Sequence, residues 1–338
     1  HLRTQELLPS LQKPALIIIE APMGEGKTEA ALMIADALSA QVGHHGFYLG
    51  LPTQATSNAM LKRMEQFLGD AYADHRQNLQ LIHGDAALQK DYRRLKLSAI
   101  YGSNKHSIAP DIVAEEWFCR KKRALLAEYA VGTIDQALLS AMQVRLGFVR
   151  LFGLAGKTIV LDEVHAYDTY TSVLINQLLE WLSALGTSVI LLSATLPSHK
   201  RREFLKAYGA GEPISQESAY PRITVAQAHQ QQTLPVPCRK PPVRIQLEQY
   251  SGDEQTQIAQ RLLDTLEQGG CAAWICNTIA RAQETYSLLK ELSRDLPNPP
   301  KLQLIHSRML YGDRPMREQE ALSDFGKDES KRPEKAIL

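Results

Sequence analysis

A chain of 338 residues, 44% hydrophobic and 22% charged, is long enough for two ordinary domains and has the composition of a soluble globular protein. No apolar run approaches the roughly 20 residues that a membrane span needs, and the start lacks the basic-then-apolar pattern of a signal peptide. No membrane partner and a cytoplasmic location are therefore expected. With 38 basic and 37 acidic side chains the net charge is +1, which neither marks nor excludes a nucleic-acid binder, because a local groove can be basic within a neutral whole.

In chain order, Ala15 to Glu20 is an apolar run that reads as a buried strand, and Thr28 to Leu38 repeats apolar residues at helical spacing. Between them lies Ala21-Pro-Met23-Gly24-Glu25-Gly26-Lys27-Thr28, followed by Glu29. Small residues at a strand-to-helix turn let backbone N–H groups curl around a phosphate, and the helix N-terminus adds partial positive charge. Lys27 can reach terminal phosphates and Thr28 can ligate Mg²⁺, so the segment predicts a nucleoside triphosphate site. Its first position is Ala21 where the strict pattern has Gly.

Gly46 to Leu51 predicts a second strand, closed by Pro52-Thr53-Gln54 and a helix start. Gly132-Thr133-Ile-Asp135-Gln136 repeats that arrangement. Both present hydroxyls and N–H groups suited to a nucleic-acid backbone, and both equally suit helix caps. Arg120 to Arg123 is a dense basic run, a solvated helix face or the lip of a strand channel. Thr158 to Asp162 predicts a strand that ends in Asp162-Glu163-Val-His165. The C-terminal edge of an open α/β sheet is where ligands bind, so Asp162 can hold Mg²⁺, Glu163 can polarise an attacking water, and His165 can sense the γ-phosphate. Thr171 to Leu185 predicts a helix and Ser188 to Leu192 a strand, closed by Ser193-Ala194-Thr195, whose hydroxyls can link the acidic box to the nucleic-acid side.

The alternation lapses in the Gln- and Pro-rich stretch after residue 210 and resumes near Thr256, giving a division into residues 1–210, an irregular crossing segment 211–245, and a partial domain 246–338. In the last part, helices are expected near Thr256–Leu266 and Ala280–Leu292. Strands are expected near Ala272–Cys276 and Leu302–His306, with a further strand beginning at Ala336. Cys271 and Cys276 are spaced too widely for a zinc knuckle and read as buried free thiols in a strand. Trp117, Trp181 and Trp274 sit in apolar patterns and read as core. His83, His106 and His306 lack metal-ligand spacing, and no metal is assigned to them.

Taken together, the phrases at Glu20–Leu32, Val131–Leu138, Leu161–Asp168 and Leu191–Pro197 resemble the helicase portion of the CRISPR-associated helicase-nuclease of type I systems, a superfamily 2 helicase. The resemblance implies an α/β P-loop NTPase with two RecA-like parallel-sheet domains, the second incomplete. It implies an ATP-dependent single-stranded DNA translocase or helicase with ATP and Mg²⁺ as cofactors. By position, it makes Gln5 the adenine-reading residue, and Lys27, Asp162, Glu163 and His165 the catalytic set. It lays Pro52, Thr53, Gln54, Gly132, Thr133, Asp135, Gln136, Asn277, Thr278, His306 and Arg308 along the strand. An RNA-guided surveillance complex and a nuclease domain, in cis or in trans, are the implied partners of a monomer. No His-Asp dipeptide occurs, so the nuclease is expected outside this sequence. The sequence stops before the family's last two helicase motifs, so weak hydrolysis is expected of this chain alone, since an absent arginine finger typically costs on the order of 10³–10⁵ in rate. A general superfamily 2 helicase of repair or RNA metabolism, or a nucleotide-gated docking module without unwinding, are the alternatives.

Overall fold

The computed structural model describes residues 6–72, 75–101, 112–119, 123–142, 144–145, 147–211, 219–227, 230–238, 244–250, 254–310, 312–326 and 329–338. Gln5, His106 and Arg120 to Lys122 lie outside them. The chain divides into two compact units, residues 1–241 and 242–338.

The first unit is built on strands β1 (Leu16–Glu20), β2 (Phe47–Leu51), β3 (Gln77–Ile82), β4 (Ile112–Val113), β5 (Tyr129–Thr133), β6 (Thr158–Leu161), β7 (Ser188–Ser193), β8 (Arg222–Gln227) and β9 (Gln230–Pro235). They form one sheet in the order β4-β3-β5-β2-β6-β7-β1-β8-β9. All pairs from β4 to β1 are parallel, while β8 runs antiparallel to β1 and β9 to β8. Its helices are α1 (Lys27–Val42), α2 (Gln54–Ala71), α3 (Lys90–Tyr101), α4 (Ile134–Leu138), α5 (Gly147–Leu154), α6 (Thr169–Ala184) and α7 (Ser198–Ala207).

The central strands β1, β2, β6 and β7 are mostly apolar because both faces of the sheet are covered there. Side chains alternate between two cores. Ile17 and Ile19 of β1, Phe47 and Leu49 of β2, and Ile190 of β7 pack with Ile34 and Leu38 of α1 and Leu61 and Met64 of α2. Leu16 and Ile18, Tyr48, and Leu191 face the other way, onto Ile175, Leu178 and Leu182 of α6 and Phe204 of α7. Each such buried side chain contributes roughly 1.5–3 kcal/mol relative to exposure.

The second unit holds α8 (Gln255–Thr265), β10 (Gly270–Ala272), α9 (Ile279–Leu292), β11 (Lys301–Leu302), α10 (Asp313–Phe325) and β12 (Lys335–Ile337). Its parallel sheet has the order β10-β12-β11. Ala259, Leu263, Leu266, Leu289 and Ile337 make its small core. None of the described helices is long and apolar enough to cross a membrane.

Four expectations are corrected. Residues 222–235 are not an irregular crossing but the β8–β9 hairpin on the edge of the first sheet. The polar Gln run disguised it because β9 is an edge strand with much of its length in water. Cys271 is exposed within β10, and Cys276 is half-buried beyond the strand's end at Ala272. Trp117 is about half exposed (54%), with the Arg123 guanidinium 4.8 Å above its ring. Trp181 is as exposed, because the inner face of α6 is already taken by Leu178 and Leu182.

At the opposite end of the sheet from the motifs, Lys157 is buried and donates to the carbonyls of Leu125 (2.6 Å) and Ala127. Burial pulls its ammonium down to about 7, partly opposed by Glu128. The unfolded chain therefore holds a proton that the folded chain releases between about pH 7 and the unfolded lysine value of 10.5. Over that window this group makes stability rise with pH, by up to about 1.4 kcal/mol per unit. Urea unfolding at pH 7, 8 and 9 is expected to give a shallower rise for Lys157→Met than for the parent, whatever the variant's absolute stability.

Candidate active site

Because β1, β7, β6 and β2 run parallel, their C-terminal ends share one edge, and the turns leaving them meet there. The turn after β1 has Gly24 at φ 78° and Gly26 at φ 82°, the left-handed region that glycine enters without steric cost. Gly26 is the N-cap of α1, and no side chain caps that helix, so its first N–H groups are left for an anion. Lys27 is buried, and its Nζ donates to the carbonyls of Ala21 (2.7 Å) and Pro22 (3.3 Å). A desolvated ammonium folded back on the carbonyls of its own loop fits a site whose charged partner is a phosphate. Thr28 is half-buried, Met23 exposed, and Glu29 pairs with Arg63 of α2. One carboxylate oxygen of Glu25 is buried with no protein partner.

Asp162 follows β6, and its N–H donates to Gly50 O of β2 (2.9 Å). Burial, then the neighbouring charge of Glu163, raises its carboxyl above the ordinary aspartate value, while the Glu163 N–H, Lys27 and Arg63 pull the other way. Such a carboxylate suits a cation. Glu163 has φ 52°, a left-handed conformation that costs a non-glycine residue about 1–2 kcal/mol. Its Oε2 lies 3.3 Å from Nδ1 of His165. The same Nδ1 is 3.1 Å from Ser193 Oγ, and Ser193 Oγ donates to Thr195 O at 2.7 Å. Ser193 has a single hydroxyl proton, spent on Thr195, so it accepts from His165, which fixes the proton on Nδ1. The Ser193 carbonyl in turn accepts from Ala21 N–H at the start of the phosphate loop (3.2 Å). Lys27, Asp162, Glu163, His165, Ser193 and Thr195 thus belong to one connected edge.

The expected nucleic-acid positions of the first unit follow β2 and β5. Thr53 is exposed and caps α2, accepting from Thr56 N–H (3.2 Å) while Thr56 Oγ1 accepts from Thr53 N–H, so the capping reading holds for its side chain. Gln54 is exposed beside it and Pro52 half-buried. Gly132 admits no side chain, since a Cβ would sit 2.4 Å from Ile82 O and 2.8 Å from the Tyr48 hydroxyl. That hydroxyl donates to Thr133 O (2.7 Å), so the Thr133 carbonyl is engaged within the unit, and Thr133 itself is buried. Asp135 is exposed, and Gln136 accepts from Arg150 (3.0 Å). In the second unit, Thr278 caps α9, and Asn277, Thr278 and His306 line a hollow of about 420 Å³ with Trp274 and Tyr286. Arg308 is exposed and outside that lining.

Sequence reasoning missed Arg63, which reaches Glu29 from another helix, and Tyr167, whose hydroxyl donates to Asp162 O (3.3 Å). Lys200 closes a similar link, donating to Tyr167 O (3.2 Å) and Ser172 Oγ (3.1 Å). Arg63 and Lys200 act across long sequence separations that no local spacing signals. Tyr167 lies in the quoted Leu161–Asp168 phrase, where only its nearness to Asp162 could have marked it.

A parallel sheet with a phosphate loop, an acidic box and a Ser-Ala-Thr turn on one edge defines a superfamily 2 type of nucleotide-dependent motor domain. Residues 3–204 match the family described as DEAD/DEAH box helicase, and the chain belongs to that family. Residues 268–338 match the C-terminal family of the CRISPR-associated nuclease/helicase Cas3. The chain is 43% identical over 293 residues to the CRISPR-associated endonuclease/helicase Cas3 of Thermus thermophilus, covering 85% of this chain and 31% of that protein. It superposes with a TM-score of 0.84 on the crystal structure of T. fusca Cas3-ATP, at 34% identity, covering 99% of this chain and 39% of the other. A chain of a CRISPR RNA-guided surveillance complex in a pre-nicking state matches at 30% identity and a TM-score of 0.69, covering 99% of this chain and 37% of that one. The sequence and fold are those of the helicase portion of such proteins, and the chain spans about a third of the length of the curated relatives. These likenesses are consistent with RecA-like domains.

The raised Asp162 carboxyl predicts a stability effect. Its charge penalises the folded state at neutral pH, and the penalty disappears as pH falls through the raised value. Asp162→Asn keeps an oxygen for the Glu163 N–H and removes the charge. Thermal melting without nucleotide at pH 7.5 is expected to show the variant more stable by about 1 kcal/mol, with the difference vanishing at acid pH.

Proposed function

We propose that this chain is the ATP-driven motor of a CRISPR-associated helicase-nuclease, moving single-stranded DNA for a nuclease domain that the present sequence does not include. The supporting observation is the chain of contacts from the phosphate loop through Ser193 to His165 and Glu163. It joins the residues that would bind ATP to those that would time its hydrolysis. The α1 N–H groups and Lys27 bind the phosphates. Thr28 and Asp162 are the residues that would hold Mg²⁺, which supplies charge neutralisation on the phosphate oxygens. Glu163 orients the attacking water and takes its proton, with His165 Nδ1 3.3 Å from its Oε2. Ser193 and Thr195 carry the state of that pair toward the turns at Thr53 and Thr133.

Single-stranded DNA would lie along Thr53, Gln54, Gly132, Thr133, Asp135 and Gln136 in the first unit and Asn277, Thr278, His306 and Arg308 in the second, contacting backbone without reading bases. The DNA is delivered by an RNA-guided surveillance complex, a partner supported by the match to a chain of such an assembly. The motor acts as a monomer in the cytoplasm, with Gln5 reading adenine.

The direct test is thermal stability with and without Mg²⁺-ATP. At about 100 times its dissociation constant, a ligand stabilises its folded site by roughly 2.7 kcal/mol. The proposal expects ATP to raise the melting temperature of the parent and not of Lys27→Ala. An equal rise in both, or none in the parent at millimolar ATP, contradicts it.

A further inference from the structure

Glu20, the last residue of β1, is 1% exposed, an expensive place for a carboxylate. Two arginines meet it. Arg201 of α7 donates through Nε (2.8 Å) and Nη2 (2.9 Å), and Arg222 of β8 through Nε (2.8 Å) and Nη2 (3.3 Å). Arg201 Nη2 also donates to Leu196 O (3.0 Å), just past the Ser-Ala-Thr turn. Within the turn the Tyr220 hydroxyl donates to Ala194 O (2.7 Å), and Tyr220 is two residues from Arg222. The Ser-Ala-Thr turn is therefore held at Ala194 and at Leu196 by groups that both lead back to Glu20, the residue before the phosphate loop. A hollow of about 60 Å³ lies between the phosphate loop at Gly26 and Lys27 and the hairpin at Ile223 and Val236. The charged fork adds to the strand pairing of Glu20 with Arg222 and the packing of Ile19 with Ile223.

We propose that Glu20, Arg201, Arg222 and Tyr220 form a clasp that makes the phosphate loop and the Ser-Ala-Thr turn move as one body when nucleotide binds. The inference rests on the nucleotide-binding reading above and adds Arg201, Arg222 and Tyr220, which lie outside the quoted motif phrases, as positioning residues around Glu20. A planar guanidinium suits the role because its fork fixes direction as well as distance, which a lysine ammonium does not. Removing either arginine would leave a buried charge and threaten folding. The informative change is Tyr220→Phe, which deletes one hydroxyl from a half-exposed ring.

Amide hydrogen exchange on the intact protein, with and without Mg²⁺ and a non-hydrolysable ATP analogue, tests the clasp. In the parent, nucleotide is expected to slow exchange both at residues 21–30 and at 193–196. In Tyr220→Phe, protection at 21–30 should be unchanged. Protection at 193–196 should fall about 3- to 10-fold, the scale of one hydrogen bond, at an unaltered melting temperature. Arg222→Lys, checked for folding by its melting temperature, should show the same selective loss. Equal protection at 193–196 in parent and Tyr220→Phe overturns the clasp while leaving nucleotide binding intact. No protection at 21–30 in the parent overturns the nucleotide reading, and the clasp with it.

Discussion

The parallel register of β2, β6, β7 and β1 is the constraint on which the rest of the first unit depends. Leu161 pairs with Gly50 on one side and Leu191 on the other, and Glu20 pairs with Ser193. That alignment brings the phosphate loop, the acidic box and the Ser-Ala-Thr turn to one level although nearly 170 residues separate the first from the last. A slip of one residue in any strand would turn its core side chains to the wrong face. The two apolar cores therefore set the geometry of the site as well as the stability of the fold.

The edge combines two kinds of buried charge. Glu20 is fully answered by two arginine forks and serves as an anchor. Lys27 and Asp162 are answered incompletely, one by its own loop's carbonyls and the other raised by burial and by Glu163. Glu163 adds backbone strain at the position proposed to handle the water. A rigid anchor beside strained, partly unpaired charges is the arrangement expected where ligand, rather than protein, completes the electrostatics.

Much of this was legible in the sequence because the motifs are local. A continuous apolar strand followed by Gly24, Gly26 and Lys27, or by Asp162 and Glu163, advertises itself through composition and order. What stayed hidden depends on tertiary context. The hairpin from Arg222 to Pro235 was obscured because an edge strand in water carries glutamines where a central strand carries valines. Arg201 and Arg222 reach Glu20 across 181 and 202 positions, distances over which spacing carries no information. Thr133 is buried and its carbonyl is taken by the Tyr48 hydroxyl, a packing relation that its place in the Gly132–Gln136 phrase does not signal. Trp117 and Trp181 were misjudged for a similar reason, since an apolar neighbourhood in sequence does not say which face meets the core, whereas Trp274 does pack against the core of the second unit.

The central claim is that one sheet edge couples ATP hydrolysis to a nucleic-acid strand. Steady-state ATP hydrolysis with and without single-stranded DNA tests it most directly, using the parent and Glu163→Gln. The account predicts that DNA accelerates hydrolysis by the parent at least about fivefold, the lower range of ordinary site-to-site coupling. It predicts that Glu163→Gln is slower by roughly 10²–10⁴, the contribution of a positioned general base. Hydrolysis indifferent to DNA, or a Glu163→Gln variant as active as the parent, would contradict it.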